Sequence, residues 1–69
     1  MKLSARNQLE GTVKSINKGP VSTEVVIDVN GTEIVSSITT GSAEALDLKV
    51  GDTAIAVIKA SSVMVGVPH

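Results

Sequence analysis

The dipeptide Asn30-Gly31 lies between two runs in which apolar and polar residues alternate, and it fixes more of this fold than any other feature of the chain. Both positions tolerate the positive φ of a type I′ turn, so the flanking runs read as a hairpin joined by two residues. Val21, Thr23, Val25, Ile27 and Val29 form one face of the strand before the turn; Ser22, Glu24, Val26 and Asp28 form the other. The strand after it runs from Thr32 to about Thr39, with Ile34, Ser36 and Ile38 on one face. A two-residue turn also sets the register. Ile27 is expected opposite Ile34, Val25 opposite Ser36 and Thr23 opposite Ile38. On the reverse face Asp28 meets Glu33, Val26 meets Val35 and Glu24 meets Ser37. The Val26–Val35 pair puts an apolar spot where a lone chain would be wet.

Period two continues elsewhere, with turn signals between short runs. Leu9, Gly11 and Val13 alternate with Glu10, Thr12 and Lys14. The pattern slips near Ser15-Ile16, and Gly19-Pro20 marks a turn. Gly41 to Leu48 reads as one short helix capped by Thr40 or Ser42, with Glu44 in its first turn and Ala45, Leu46 and Leu48 as apolar contacts. Val50-Gly51-Asp52 returns the chain to a strand over Thr53 to Lys59, apolar on both faces, as are Val63, Met64, Val65 and Val67. Such strands need cover on both sides. This predicts one all-β domain over residues 1–69: a five-stranded, OB-like Greek-key barrel with one short helix between strands three and four. Only Met1 to Leu3 and Pro68-His69 are expected to fray.

A chain of 69 residues hides only ~60% of its unfolded surface on folding. Small domains offset this with disulfides, a metal or self-association. With 0 cysteines there is no disulfide, and the one histidine, His69, is the last residue, so no zinc staple forms. Aromatic side chains, which dominate small cores, are absent. Self-association is what remains. Copies of the chain are expected to cover Val26 and Val35, the Ala54, Ala56 and Ile58 face, and the strand from Val63 to Val67.

The same figures exclude several functions. Six basic against seven acidic residues give no field for gathering nucleic acid, and no ring is available for stacking bases. No apolar run is long enough to span a membrane. Met1 to Asn7 lack the apolar stretch of a signal peptide, so a cytoplasmic location is expected. Catalysis has no visible machinery: His69 is the only imidazole, the carboxylates fall in turns and on outer faces, and no glycine-rich phosphate loop is present.

Three segments stand apart. Ser4-Ala5-Arg6-Asn7-Gln8 precedes the first strand, Lys59-Ala60-Ser61-Ser62 separates the last two, and Thr39-Thr40-Gly41-Ser42 enters the helix. Each offers hydroxyl, amide or cationic donors and none contains a carboxylate. Such segments suit an oxyanion, which presents only acceptors. Plainer readings stand beside this one: a solvated lead-in for the first, an edge-strand lysine for Lys59, and a helix cap for Thr40 or Ser42.

The opening run Ser4 to Val13 resembles the signature of molbindins, the small Mop-type molybdate-binding proteins. The likeness continues through Val25-Val26, Ile38-Thr39-Thr40, Ser42 and Leu46 to Asp52, and ends in Ile58-Lys59-Ala60-Ser61-Ser62-Val63-Met64-Val65. It covers essentially the whole chain as a single Mop domain. The resemblance implies an OB-like barrel assembled as a homohexamer, a trimer of dimers, that binds molybdate or tungstate between subunits, with no organic cofactor and no free metal cation. By position, Ser4, Arg6 and Asn7 would supply one part of the oxyanion site. Lys59, Ala60 and Ser61 would supply another, Ala60 through its backbone N–H, and Thr40 and Ser42 would contribute from the helix entrance. A second type of site near a threefold axis is also implied, with Gly19, Val21 and Ser22 as candidates; Pro20 there removes one backbone donor. The function implied is intracellular storage or buffering of the oxyanion. The alternative is a molybdate-sensing module acting on a partner protein.

Overall fold

Asn7–Lys18 form the longest strand, β1, which pairs with the last strand of the sheet through Asn7–Thr12 and with the next strand in sequence through Thr12–Lys18. The computed structural model describes residues 1–69. Strand β2 (Ser22–Val29) pairs antiparallel with β1 and with β3 (Thr32–Thr39), while β4 (Thr53–Ile58) pairs antiparallel with the other side of β1. The sheet order is therefore β3-β2-β1-β4. Three consecutive strands and a fourth that returns beside the first is the Greek-key order.

Asn30 and Gly31 take φ of 51° and 88° between β2 and β3, as a primed turn requires. All six cross-strand pairs expected from that turn are present. The slip in the β1 pattern is a β-bulge: Val13 faces Ile27, and two residues later Ser15 faces the very next partner, Val26. Lys14 is the extra residue. Without it, Val13 and Ile16 would point to opposite faces, because side chains alternate along a strand. With it, both join the inner face, and the sheet curls.

That curled face carries the interior. Val13, at 1% exposure, packs with Val25, Ile27 and Ala56, and Ile16, Val29, Ile34, Ile38, Leu48 and Ala54 close around them. Gly11 lies where β1 runs tight against β2: a Cβ there would stand 2.3 Å from the Asp28 carbonyl oxygen. The loop before β4 is stitched back onto β1. Val13 N–H donates to the Asp52 carbonyl (2.8 Å) and Gly51 N–H to the Val13 carbonyl (2.9 Å). Gly51 does so at φ 96°, a conformation open to glycine.

Several expectations are corrected. The fold is all-β and OB-like with one short helix, but it has four strands, not five. After β4 the chain makes a 3₁₀ turn, Ala60–Ser62, and runs on without a partner. Met64 and Val65 are 93% and 90% exposed, so the unpaired stretch begins at Val63 and not at Pro68. A strand exists only where its N–H and C=O groups are met, and no edge within this chain meets them. On β4 the inner face is Ala54, Ala56 and Ile58, which this chain largely covers itself; Ile55 and Val57 face outward. Helix α1 spans Thr40–Ala45, shorter than Gly41 to Leu48. Its cap is Thr39, whose Oγ1 accepts the Ser42 N–H at 3.0 Å, and Glu44 falls past the first turn. Ala43 and Leu48 make the apolar contacts, while Ala45 and Leu46 are exposed.

The chain is under-buried. Only 7 of 69 residues are buried and the accessible surface is 5377 Å², whereas a folded monomer of 7.0 kDa is expected to expose about 4,000 Å². The radius of gyration, 12.8 Å, likewise exceeds the roughly 11 Å of a compact domain of this length.

Gly11→Ala is expected to lower stability by ~2 kcal/mol or more, because backbone on the facing strand has to move. Thermal unfolding followed by far-UV circular dichroism reads this as a drop in Tm of at least ~8 °C. An unchanged Tm would mean that β1 and β2 do not approach as closely as described.

Candidate functional site

β1 and β4 pair so that Asn7 faces Ile58. Arg6, just before β1, and Lys59, just after β4, therefore emerge side by side. They share an open cleft lined by Ser4, Ala5, Arg6, Val57, Lys59, Ala60 and Ser61. Two amide side chains hold its walls. Gln8 Nε2 donates to the Ala5 carbonyl at 2.7 Å and fixes the lead-in segment. Asn7 Nδ2 donates to the Ile58 carbonyl at 3.2 Å and fixes the residue before Lys59. Asn7 thus positions the cleft and is half-buried beneath it. The 3₁₀ turn starts with Lys59 as its N-cap, and the first N–H groups of such a turn, those of Ala60 and Ser61, have no acceptor within it.

The charges sort by location. Lys14, Lys18 and Lys49 are paired with Glu33, Glu44 and Asp47. Lys2, Arg6 and Lys59 have no carboxylate partner, and two of these three cations line one cleft that contains no acid. Away from the cleft, the hydrogen bond to Glu33 and that residue's charge raise the Lys14 pKa above the usual lysine range. The hydrogen bond and charge of Lys18 lower the Glu44 pKa below the usual carboxylate range.

The other expected residues gather at the far end of β1. Ser22 faces Thr39, and Thr40 N–H donates to the Val21 carbonyl at 2.9 Å. Thr40 Oγ1 donates to the Gly19 carbonyl (2.6 Å) and lies 2.9 Å from Thr23 Oγ1, so the Thr23 hydroxyl is the donor in that pair. Thr40 is buried and its one hydroxyl proton is committed. Ser42 is exposed: its Oγ accepts from Thr39 Oγ1 at 2.7 Å and keeps its own proton. Gly19, Val21, Ser22, Thr40 and Ser42 therefore form one cluster. Twelve residues of β1 at ~3.3 Å each put it up to ~40 Å along the strand from the Arg6–Lys59 cleft. One chain does not bring the two sets together.

Sequence reasoning missed Val57, the apolar wall of the cleft, and Thr23, the buried partner of Thr40. The outward phase of β4 carried a signal for Val57. Thr23 carried none, since it sits in an apolar face and is distinguished only by what lies opposite.

A family model described as the TOBE domain matches residues 3–65. The chain belongs to the TOBE domain family and, within it, to the Mop-type molbindins. It is 52% identical over 68 residues to the probable molybdenum-pterin-binding protein of Haemophilus influenzae, covering 97% of this chain and 99% of that one. The molybdate-binding protein of Sporomusa ovata matches with a TM-score of 0.90 and 49% identity, over 94% of this chain and 97% of that one. The cytoplasmic molybdate-binding protein ModG, solved with molybdate bound, matches at a TM-score of 0.92 and 52% identity. It covers 99% of this chain, which spans 49% of that longer one. These relatives are described as binding proteins.

Thr40→Val keeps the shape of the side chain and removes both hydroxyl bonds, leaving Gly19 C=O and Thr23 Oγ1 unsatisfied beneath the helix. A loss of ~2 kcal/mol in urea unfolding is expected, against under ~1 kcal/mol for Ser42→Ala, whose hydroxyl is exposed. Equal losses in the two variants would contradict the assigned network.

Proposed function

We propose that this molbindin binds molybdate, or tungstate, as an intracellular store or buffer and is not an enzyme. The observation that carries the reading is the acid-free cleft holding Arg6 and Lys59, two of the three cations that no carboxylate neutralises. Arg6 and Lys59 neutralise the dianion. The hydroxyls of Ser4 and Ser61 and the N–H groups of Ala60 and Ser61 meet its oxygens, and Asn7 holds the wall. Donors fixed before the ligand arrives reduce the ordering cost of binding. A shortage of acceptors disfavours protonated phosphate, which has to donate a hydrogen bond; sulfate is separated by size.

The cleft is open on one side, and the Thr40–Ser42 entrance lies at the other end of the same chain. A second copy that presents its Ser42 end to the cleft completes the donor set, with Thr40 setting the shape of that entrance. The surface in excess of a folded monomer, together with the outward Val26, Val35, Ile55 and Val57, supports assembly. The reading takes this assembly as a homohexamer, a trimer of dimers, with molybdate between subunits, in the cytoplasm. A second type of site uses the turn at Gly19, Val21 and Ser22. No helix is long and apolar enough to cross a membrane.

Calorimetric titration of the purified protein with molybdate, tungstate and sulfate tests the reading. Saturable binding of the first two, and much weaker binding of sulfate, is expected. Arg6→Ala and Lys59→Ala should each weaken molybdate binding by ~1.5 kcal/mol or more, the scale of a charge-assisted hydrogen bond, without changing the circular dichroism spectrum. Absence of binding, equal affinity for sulfate and molybdate, or wild-type affinity in both variants would falsify the assignment.

A further inference from the structure

The turn that sets the β2–β3 register is also a chemically reactive pair. An asparagine side chain closes on its own backbone when the nitrogen of the next residue attacks the amide carbon, and a following glycine has no side chain to hinder the attack. The chain has three asparagines. Asn7 and Asn17 lie within β1 and precede Gln8 and Lys18, whereas Asn30 precedes Gly31 and both residues are exposed. Space is open beside Gly31: a Cβ built there would meet nothing within 4 Å. Two features of the fold oppose the closure. Asn30 is held at φ 51°, the left-handed conformation, whose ψ is ~+47°. The ring forms only with the Gly31 nitrogen eclipsed against Asn30 Cβ about the Cα–C bond, and in an L residue this conformation sets the two nearly opposite. The attacking group is also engaged, because Gly31 N–H donates to Asp28 Oδ1 at 2.9 Å. Attack requires that nitrogen to give up its proton, and a carboxylate that accepts its hydrogen bond holds the N–H in place and disfavours the amide anion.

We propose that Asn30 is a covalent modification site, a slow deamidation that the turn geometry and the Asp28 carboxylate hold in check. When the turn opens, Gly31 N–H loses its proton to base in solution, its nitrogen bonds to Asn30 Cγ, and the side-chain nitrogen takes up a proton and leaves as ammonia. Water then opens the cyclic imide at either carbonyl carbon, giving an aspartate or an isoaspartate. One water is consumed and one ammonia released, with no change of oxidation state. Either product adds a negative charge to a surface hollow already lined by Glu10 and Asp28. The iso form also adds a carbon to the main chain of a turn whose length sets the register of the β2–β3 pairs. The modification therefore weakens the hairpin that had restrained it.

Prolonged incubation of the full chain at neutral pH tests this. Intact-mass spectrometry follows the amide-to-acid mass gain, peptide mapping places it, and an ammonia assay counts the leaving group. In the native protein the gain at Asn30 should run at least ~10-fold more slowly than in urea. Asp28→Ala should raise the native rate ~10-fold, the scale of a hydrogen bond to a charged group, and leave the rate in urea unchanged. Asn30→Gly, which keeps a residue suited to positive φ, should abolish the gain at that position. Thr40→Val loses stability far from the turn and keeps the Asp28–Gly31 bond, so its native rate should match wild type; this separates opening of the turn from unfolding of the chain. If Asp28→Ala loses its native circular dichroism spectrum, Asp28→Asn decides instead: it keeps an oxygen acceptor without the charge and should still raise the native rate several-fold. A native rate equal to that in urea overturns the protection by the fold. An unchanged or slower native rate in the Asp28 variants overturns the role of Asp28. An equal rise in Thr40→Val, or a mass gain that persists undiminished in Asn30→Gly, overturns the proposal as a whole.

Discussion

The extra residue at Lys14 is the constraint on which the rest of the molecule depends. It lets Val13 and Ile16, three positions apart, share one face, and it bends β1 so that the four strands curl around that face. Val13 then becomes the most buried apolar residue of the interior and exchanges backbone bonds with the loop that leads into β4. Through those bonds β4 is delivered to the opposite side of β1 from β2. The cleft follows: Arg6 and Lys59 are neighbours only because β4 ends where β1 begins. A flat β1 would leave Ile16 on the wet side and remove the curvature that encloses the core.

Parts of this were legible in the sequence for identifiable reasons. Asn30-Gly31 dictates turn type, turn type dictates register, and the β2–β3 pairs follow with no tertiary information. The slip near Ser15 was visible, but a break in period does not say which side gains the extra residue. The inward face of β4 was not legible, since Ala54, Ala56 and Ile58 oppose Ile55 and Val57 and alternation is silent when both faces are apolar. The helix cap was decided by competition. Thr39, Thr40 and Ser42 all suit an N-cap, and Thr40 is withdrawn by Thr23 and Gly19 from elsewhere in the chain. The unpaired fate of Val63–Val67 was hidden because strand propensity reports what a segment can do and not whether an edge is within reach.

The candidate site was legible to a different degree. Acid-free donor segments at Ser4–Gln8 and Lys59–Ser62 are a local signal, and the antiparallel pairing of β1 with β4 joins them. The Thr39–Ser42 segment carries the same local signal, yet the fold sends it to the other end of β1. Composition identifies groups that suit an anion; topology decides which of them one chain can bring to the same anion.

Electrostatics and burial meet at this point. Arg6 and Lys59 lie side by side with no counter-charge from their own chain, and like charges held together raise the energy of the folded state. Lys14, Lys18 and Lys49 are each paired with an acid, so apart from Lys2 in the leading segment the unpaired cations are those of the cleft. A site left unneutralised and open gains the most from an incoming dianion, whose charge it matches without any carboxylate having to be displaced. Screening by water and salt weakens that attraction while the cleft stays open. Covering it with a second chain excludes solvent and strengthens each contact. A chain of 69 residues with too little interior to cover its own surface is therefore suited to an anion held between copies: an association that covered Ile55 and Val57 would also dry the cleft that Val57 lines.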